Sequence, residues 1–87
     1  MGIKDELELA DLRIEKAYNA CEKPWIECNL MYKKLNKMKR RSIFNKRYID
    51  KCLDKLEEYD EIASFYEHEE LLRLIDRCYH RIGYLFS

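Results

Sequence analysis

The sequence predicts an all-α protein, a small antiparallel helical bundle, on three observations. The first is a heptad. Leu7, Ile14, Cys21, Cys28 and Leu35 recur every seven residues, and Ile3, Ala10, Ala17, Met31 and Met38 fill the companion positions. This 3-4 spacing lays all of them on one stripe of a helix, which must be buried against something. The second is vocabulary. Val, Thr and Gln are absent, and only two Gly and one Pro occur. Most of the usual strand-forming residues are thereby missing, and Leu, Glu, Lys and Arg, all good helix formers, dominate. The third is size: 87 residues with an apolar fraction of 47% make one domain, residues 1–87, near the lower limit of independent folding.

Four helical stretches follow, over about 3–21, 24–41, 43–62 and 65–86. The first boundary rests on Pro24, which lacks an amide hydrogen and clashes with the carbonyl four residues back. At the first position of a new helix the proline is well placed, although Lys23 is then a poor N-cap. The heptad keeps its phase across Pro24, and the clash falls on the small Ala20. One long helix of roughly 55 Å, kinked at Pro24, is therefore the alternative to a break; the broken, four-segment bundle is the preferred reading. Arg40-Arg41-Ser42 interrupts the pattern next, with Ser42 able to cap a helix that carries Tyr48, Ile49, Cys52, Leu53, Leu56 and Tyr59. Ser64-Phe65-Tyr66-Glu67 reads as a capping box opening the last helix, whose buried face is Leu71, Leu74, Ile75, Cys78, Ile82 and Leu85.

The first segment has more apolar surface than one seam requires. Tyr18, Trp25 and Tyr32 form an aromatic strip beside the heptad face, and Leu9, Leu12, Ile26 and Leu30 lie well away from it. Such a helix is either central in a bundle or in contact with a second chain. Tyr, Trp and Arg are enriched at binding hot spots, so Tyr18, Trp25 and Tyr32 are the candidate anchor of a protein interface, with a homodimer as a further option.

Seventeen basic and seventeen acidic residues cancel, which argues against coating nucleic acid by bulk charge. They are nevertheless sorted. Lys33, Lys34, Lys37, Lys39, Arg40, Arg41, Lys46 and Arg47 follow one another without an acid, with Tyr32, Phe44 and Tyr48 interleaved. Such a segment can answer the C-terminal dipole of a helix, dock an acidic protein surface, or grip phosphates while its aromatics stack on bases. Arg40, Arg41, Phe44, Lys46, Arg47 and Tyr48 are its candidate contact residues. Asp50, Asp54, Glu57 and Glu61 then share a helical face, read first as wet surface. The same stripe suits a basic partner or mimics phosphates toward a nucleic-acid enzyme.

The four cysteines lack CxxC or zinc-finger spacing and occupy apolar-face positions, so they read as reduced, buried hydrophobes. Asp76 and His80, and His68 among its glutamates, read as surface ion pairs rather than ligands. No nucleophile–base pair or phosphate-cradling glycine loop is visible, and neither catalysis nor a cofactor is expected. Residues 1–20 carry charges throughout, unlike a signal peptide, and no run is long enough to span a bilayer. A cytoplasmic protein without membrane contact is expected. Heavy use of Ile, Lys, Asn and Tyr fits an AT-rich genome, such as that of a low-GC bacterium or its phages. The expected function is a helical protein–protein interaction module, an adaptor, inhibitor or regulator; nucleic-acid binding through residues 33–48 is the alternative, and a self-assembling structural protein the second.

Overall fold

A computed structural model describes the backbone of residues 3–40 and 45–86 and the side chains of residues 14–40 and 45–86. The chain is all-helical there: α1 spans Ile3–Lys37, α2 Lys46–Phe65 and α3 Glu69–Phe86. Three helices stand where four segments were expected. The helix through Pro24 is continuous, which overturns the preferred break. The kink at Pro24 disagrees as well: α1 runs as one uninterrupted helix of 35 residues, about 52 Å long, in a molecule measuring 61 × 17 × 17 Å.

The reason lies in what Pro24 would lose by ending the helix. An interior proline costs about 3 kcal/mol. Pro24 is itself buried, and Cys21, Cys28, Met31 and Leu35 on the same stripe are buried around it. Met31 and Leu35 each contribute about 1.5–3 kcal/mol by leaving water, and the two buried cysteines add to this, so continuity of the stripe outweighs the one backbone bond that Pro24 cannot donate to Ala20.

The helices run up, down and up. Lys34 near the end of α1 meets Tyr48 near the start of α2, so those two are antiparallel. The α2–α3 connection is a tight turn, so these also oppose each other. Parallel packing of α1 and α3 follows from Trp25 lying against His68, and from Arg81 reaching the carbonyls of Leu35 and Asn36. The core takes Cys21, Cys28, Met31 and Leu35 from α1, and Ile49, Cys52, Leu56, Tyr59 and Ala63 from α2. From α3 come Leu71, Leu74, Ile75, Cys78, Ile82 and Leu85, all six of the expected set.

The α2–α3 turn is built differently from the expected capping box. Ser64 and Phe65 remain inside α2. The helix is closed by His68 N–H donating to the Ala63 carbonyl at 2.9 Å and Glu67 N–H to the Ser64 carbonyl at 3.2 Å. That pair of bonds is a Schellman closure, and its left-handed residue is Glu67, at φ 53°. His68 then starts α3, its Nδ1 accepting the Leu71 N–H at 3.1 Å. The cap of α3 is thus His68, four residues after Ser64, because burying Tyr59 and Ala63 draws α2 one turn further than its local signal suggests. The expected cap at Ser42 lies outside the described residues; Asn45, next to α2, makes no side-chain cap bond.

Candidate interaction surfaces

The hairpin of α2 and α3 covers only part of α1, and that limit creates the exposed surfaces. Ile14 occupies the same heptad position as Cys21 and Cys28, yet it is 59% exposed while they are buried. The turn end of the hairpin reaches this level: Ile14, Lys16 and Ala17 line a groove of about 630 Å³ with Phe65, Tyr66 and Glu67. Phe65, at 79% exposure, stands edge-on to the Tyr66 ring 4.9 Å away.

Of the expected aromatic strip, two members come together and one departs. Tyr18 is 72% exposed and shares a groove of about 390 Å³ with Trp25, Asn19, Cys21, Glu22, His68 and Glu70. The Trp25 ring lies 6.0 Å from the His68 ring, tilted by 33°. Its position is thereby tied to the residue that caps α3. Tyr32 is half-buried against the core and belongs to packing. Ile26 and Leu30, expected away from the seam, are 52% and 61% exposed, and share an open groove with Asn19, Glu22, Lys23 and Glu27. Ile26 and Leu30 therefore stand exposed among polar neighbours on the outer side of α1, uncovered by the described residues.

At the opposite end the basic residues divide by role. Arg81 donates through Nε to the Leu35 carbonyl at 3.1 Å and through Nη2 to the Asn36 and Met38 carbonyls at 3.3 Å each. It closes the C-terminus of α1, whose last turn also carries Lys34 and Lys37, where the helix dipole favours cations. Lys34 Nζ sits 3.9 Å over the Tyr48 ring. Burial, then a hydrogen bond with Cys52, pushes the Tyr48 hydroxyl up to about 12, so it is a neutral packing element. Arg40 lies 5.6 Å over the Tyr84 ring, which Arg81 also approaches at 4.8 Å. Lys46 and Arg47 are exposed in the first turn of α2, which carries no acid. Arg41 and Phe44 lie outside the described residues.

The acidic stripe Asp50, Asp54, Glu57 and Glu61 is exposed along α2, with Lys51 and Lys55 exposed beside it. His80 pairs with Asp76 at 3.3 Å on the surface of α3. The four cysteines are free and buried. Cys28, Cys52 and Cys78 come one from each helix, and Cys78 Sγ lies 3.8 Å from the Cys28 carbonyl. Burial foremost, with Cys78 beside Cys28 and Cys52 beside Cys78, pushes the Cys28 and Cys78 thiols up to about 12. Such thiols are poor nucleophiles. Among the described residues no group of three or more His, Cys, Asp or Glu could hold a metal ion, and no helix is long and apolar enough to cross a membrane.

Sequence reasoning read His68 as a surface ion-pair residue, whereas it caps α3, and did not single out Arg81. Histidine is not a favoured N-cap, so only the geometry of the turn reveals it, and Arg81 owes its role to where α1 happens to end. Comparison with protein-family models, curated proteins and solved structures returned no match to this chain.

Proposed function

We propose that the chain is a helical protein–protein interaction module, an adaptor, inhibitor or regulator that works by binding and without catalysis. The observation that carries this is the exposure of three large apolar side chains, Tyr18, Ile26 and Leu30, along one regular helix, α1. Large apolar groups held in place by regular structure bind with little loss of conformational freedom. Trp25, fixed against His68, supplies an aromatic anchor at the edge of the same helix. Lys33, Lys37, Lys39, Lys46 and Arg47 at the far end favour a partner whose apolar patch has an acidic border, and such charges speed and orient docking.

The test is a photo-crosslinking residue placed at Tyr18 and, separately, at Leu30, in cells of the source organism. One protein crosslinked from both positions, and lost on Ile26→Asp with helicity unchanged, supports the reading. Absence of any specific crosslink at either position refutes it.

A second reading, nucleic-acid binding at the basic end, draws on Lys46 and Arg47. Cations in a first helical turn oppose the helix dipole by about 0.3–1 kcal/mol each, and a phosphate docked there would relieve that cost. Anisotropy titrations with labelled DNA and RNA at roughly 50 and 200 mM salt decide it, since phosphate contacts weaken steeply over that range.

A further inference from the structure

The heptad does not stop where the hairpin stops. From Cys21 to Leu35 its stripe is covered by α2 and α3. Ile3, Leu7, Ala10, Ile14 and Ala17 continue the same two heptad positions toward the N-terminus of α1, and the helical backbone continues with them to Ile3. At the junction Ile14 is exposed, beside exposed Phe65 at the hairpin turn. A seam of this kind is what a coiled-coil partner covers.

The charges flanking the seam select the partner. With Leu7 and Ile14 at position a, and Ile3 and Ala10 at d, position e holds Lys4 and Asp11, and position g holds Glu6 and Arg13. In an antiparallel pair a faces d of the other helix, while e flanks e and g flanks g. Setting Leu7 opposite Ala10 of a second copy also sets Ile14 opposite Ile3. In that register position 4 meets position 11, lysine against aspartate, and position 6 meets position 13, glutamate against arginine. The twofold repeats both, so all four flanking pairs are of opposite sign.

The two neighbouring antiparallel registers and the in-register parallel pair are penalised. Sliding by one heptad one way places Asp11 on Asp11 and Arg13 on Arg13. Sliding the other way places Lys4 on Lys4 and Glu6 on Glu6. A parallel in-register pair, where g meets e of the following heptad, places Glu6 on Asp11. Like charges so placed disfavour these alternatives.

We propose that the N-terminal part of α1 pairs antiparallel with the same segment of a second copy, centred between Glu8 and Leu9. The register brings the start of each helix, at Ile3, level with Ile14 of the other, where the groove of Ala17, Phe65 and Tyr66 lies open. This face is separate from the Ile26 and Leu30 surface, so the pairing goes beyond the proposed function and does not depend on it.

Sedimentation of the full chain tests the pairing, with three companions: Asp11→Lys, the charge swap Lys4→Glu with Asp11→Lys, and Leu30→Asp. The native chain is expected to be dimeric at tens of micromolar. Asp11→Lys should raise the dissociation constant about tenfold, the scale for turning two exposed opposite-charge pairs into like-charge pairs. The charge swap should bring it back, and Leu30→Asp should leave it unchanged. A native chain that stays monomeric at about 100 μM overturns the proposal while leaving the protein-partner reading intact. So does a swap that fails to restore association with helicity preserved. Dissociation by Leu30→Asp moves the homodimer to the outer face, which overturns the register and would also claim the surface assigned to a foreign partner.

Discussion

Replacing Glu67 by glycine should stabilise the protein, an unusual direction for a mutation that removes a whole side chain. Glu67 holds φ 53° at the left-handed position of the Schellman closure. For a residue with a Cβ that conformation costs roughly 1–2 kcal/mol, whereas glycine adopts it freely. Glycine also has more backbone freedom to lose on folding, about 0.5–1 kcal/mol relative to alanine. The difference leaves about 0.5–1 kcal/mol in favour of Glu67→Gly. For a domain of this size that corresponds to a rise in Tm of roughly 2–8 °C. Glu67→Ala keeps the Cβ and its strain and is expected to lie within about 0.5 kcal/mol of the native chain. Thermal and urea unfolding followed by circular dichroism, at one protein concentration, measure both. A glycine variant no more stable than the alanine variant would refute the strain argument, since only the backbone distinguishes the two.

Gly83 presents the opposite case: it lies inside α3, and a Cβ built there meets nothing within 4 Å. Gly83→Ala should therefore add about 0.5–1 kcal/mol by the same unfolding measurements, through helix propensity and a less disordered unfolded chain. Leu35→Ala, at a fully buried position of the core to which all three helices contribute, should remove about 2–5 kcal/mol, whereas Ile26→Ala on the exposed side of α1 should fall within about 0.5 kcal/mol of the native chain. The thiols give a pH dependence. Cys28 and Cys78 ionise near 12 in the folded chain against 9.0 ordinarily, so the folded state holds more protons between those values. Their contribution is complete below about pH 9 and is lost as the pH rises through about 12. Urea midpoints should decline across that window, and Cys28→Ala with Cys78→Ala should flatten the decline.

The buried faces were legible because periodicity reports angle around a helix axis. Cys21, Cys28, Met31 and Leu35 were all expected inside, as were the six residues of α3, and all are. Angle says nothing about how far along the axis a neighbour extends. Ile14 and Cys28 are equivalent in the heptad, yet one is exposed and the other buried, because the hairpin ends between them. Tyr18 and Tyr32 part company for the same reason, one near the turn end and the other packed on the core. Pro24 and Ser64 misled differently: each is a sound local signal, overridden by burial on either side of it. The candidate surface was half legible. Ile26 and Leu30 stood out as apolar residues off the seam, while Phe65 and His68 take their roles from a turn whose position no local pattern announces.

The uninterrupted α1 also makes the molecule a ruler. No joint separates the segment assigned to self-pairing from the segment that supports the hairpin and ends beside the basic residues. In the proposed antiparallel pair the two basic ends would stand at opposite poles, about 85 Å apart at 1.5 Å per residue. Helix geometry alone sets that distance, so anything bound at both poles is held at fixed spacing, and adding one heptad to each N-terminal segment would change the spacing in a discrete, calculable step.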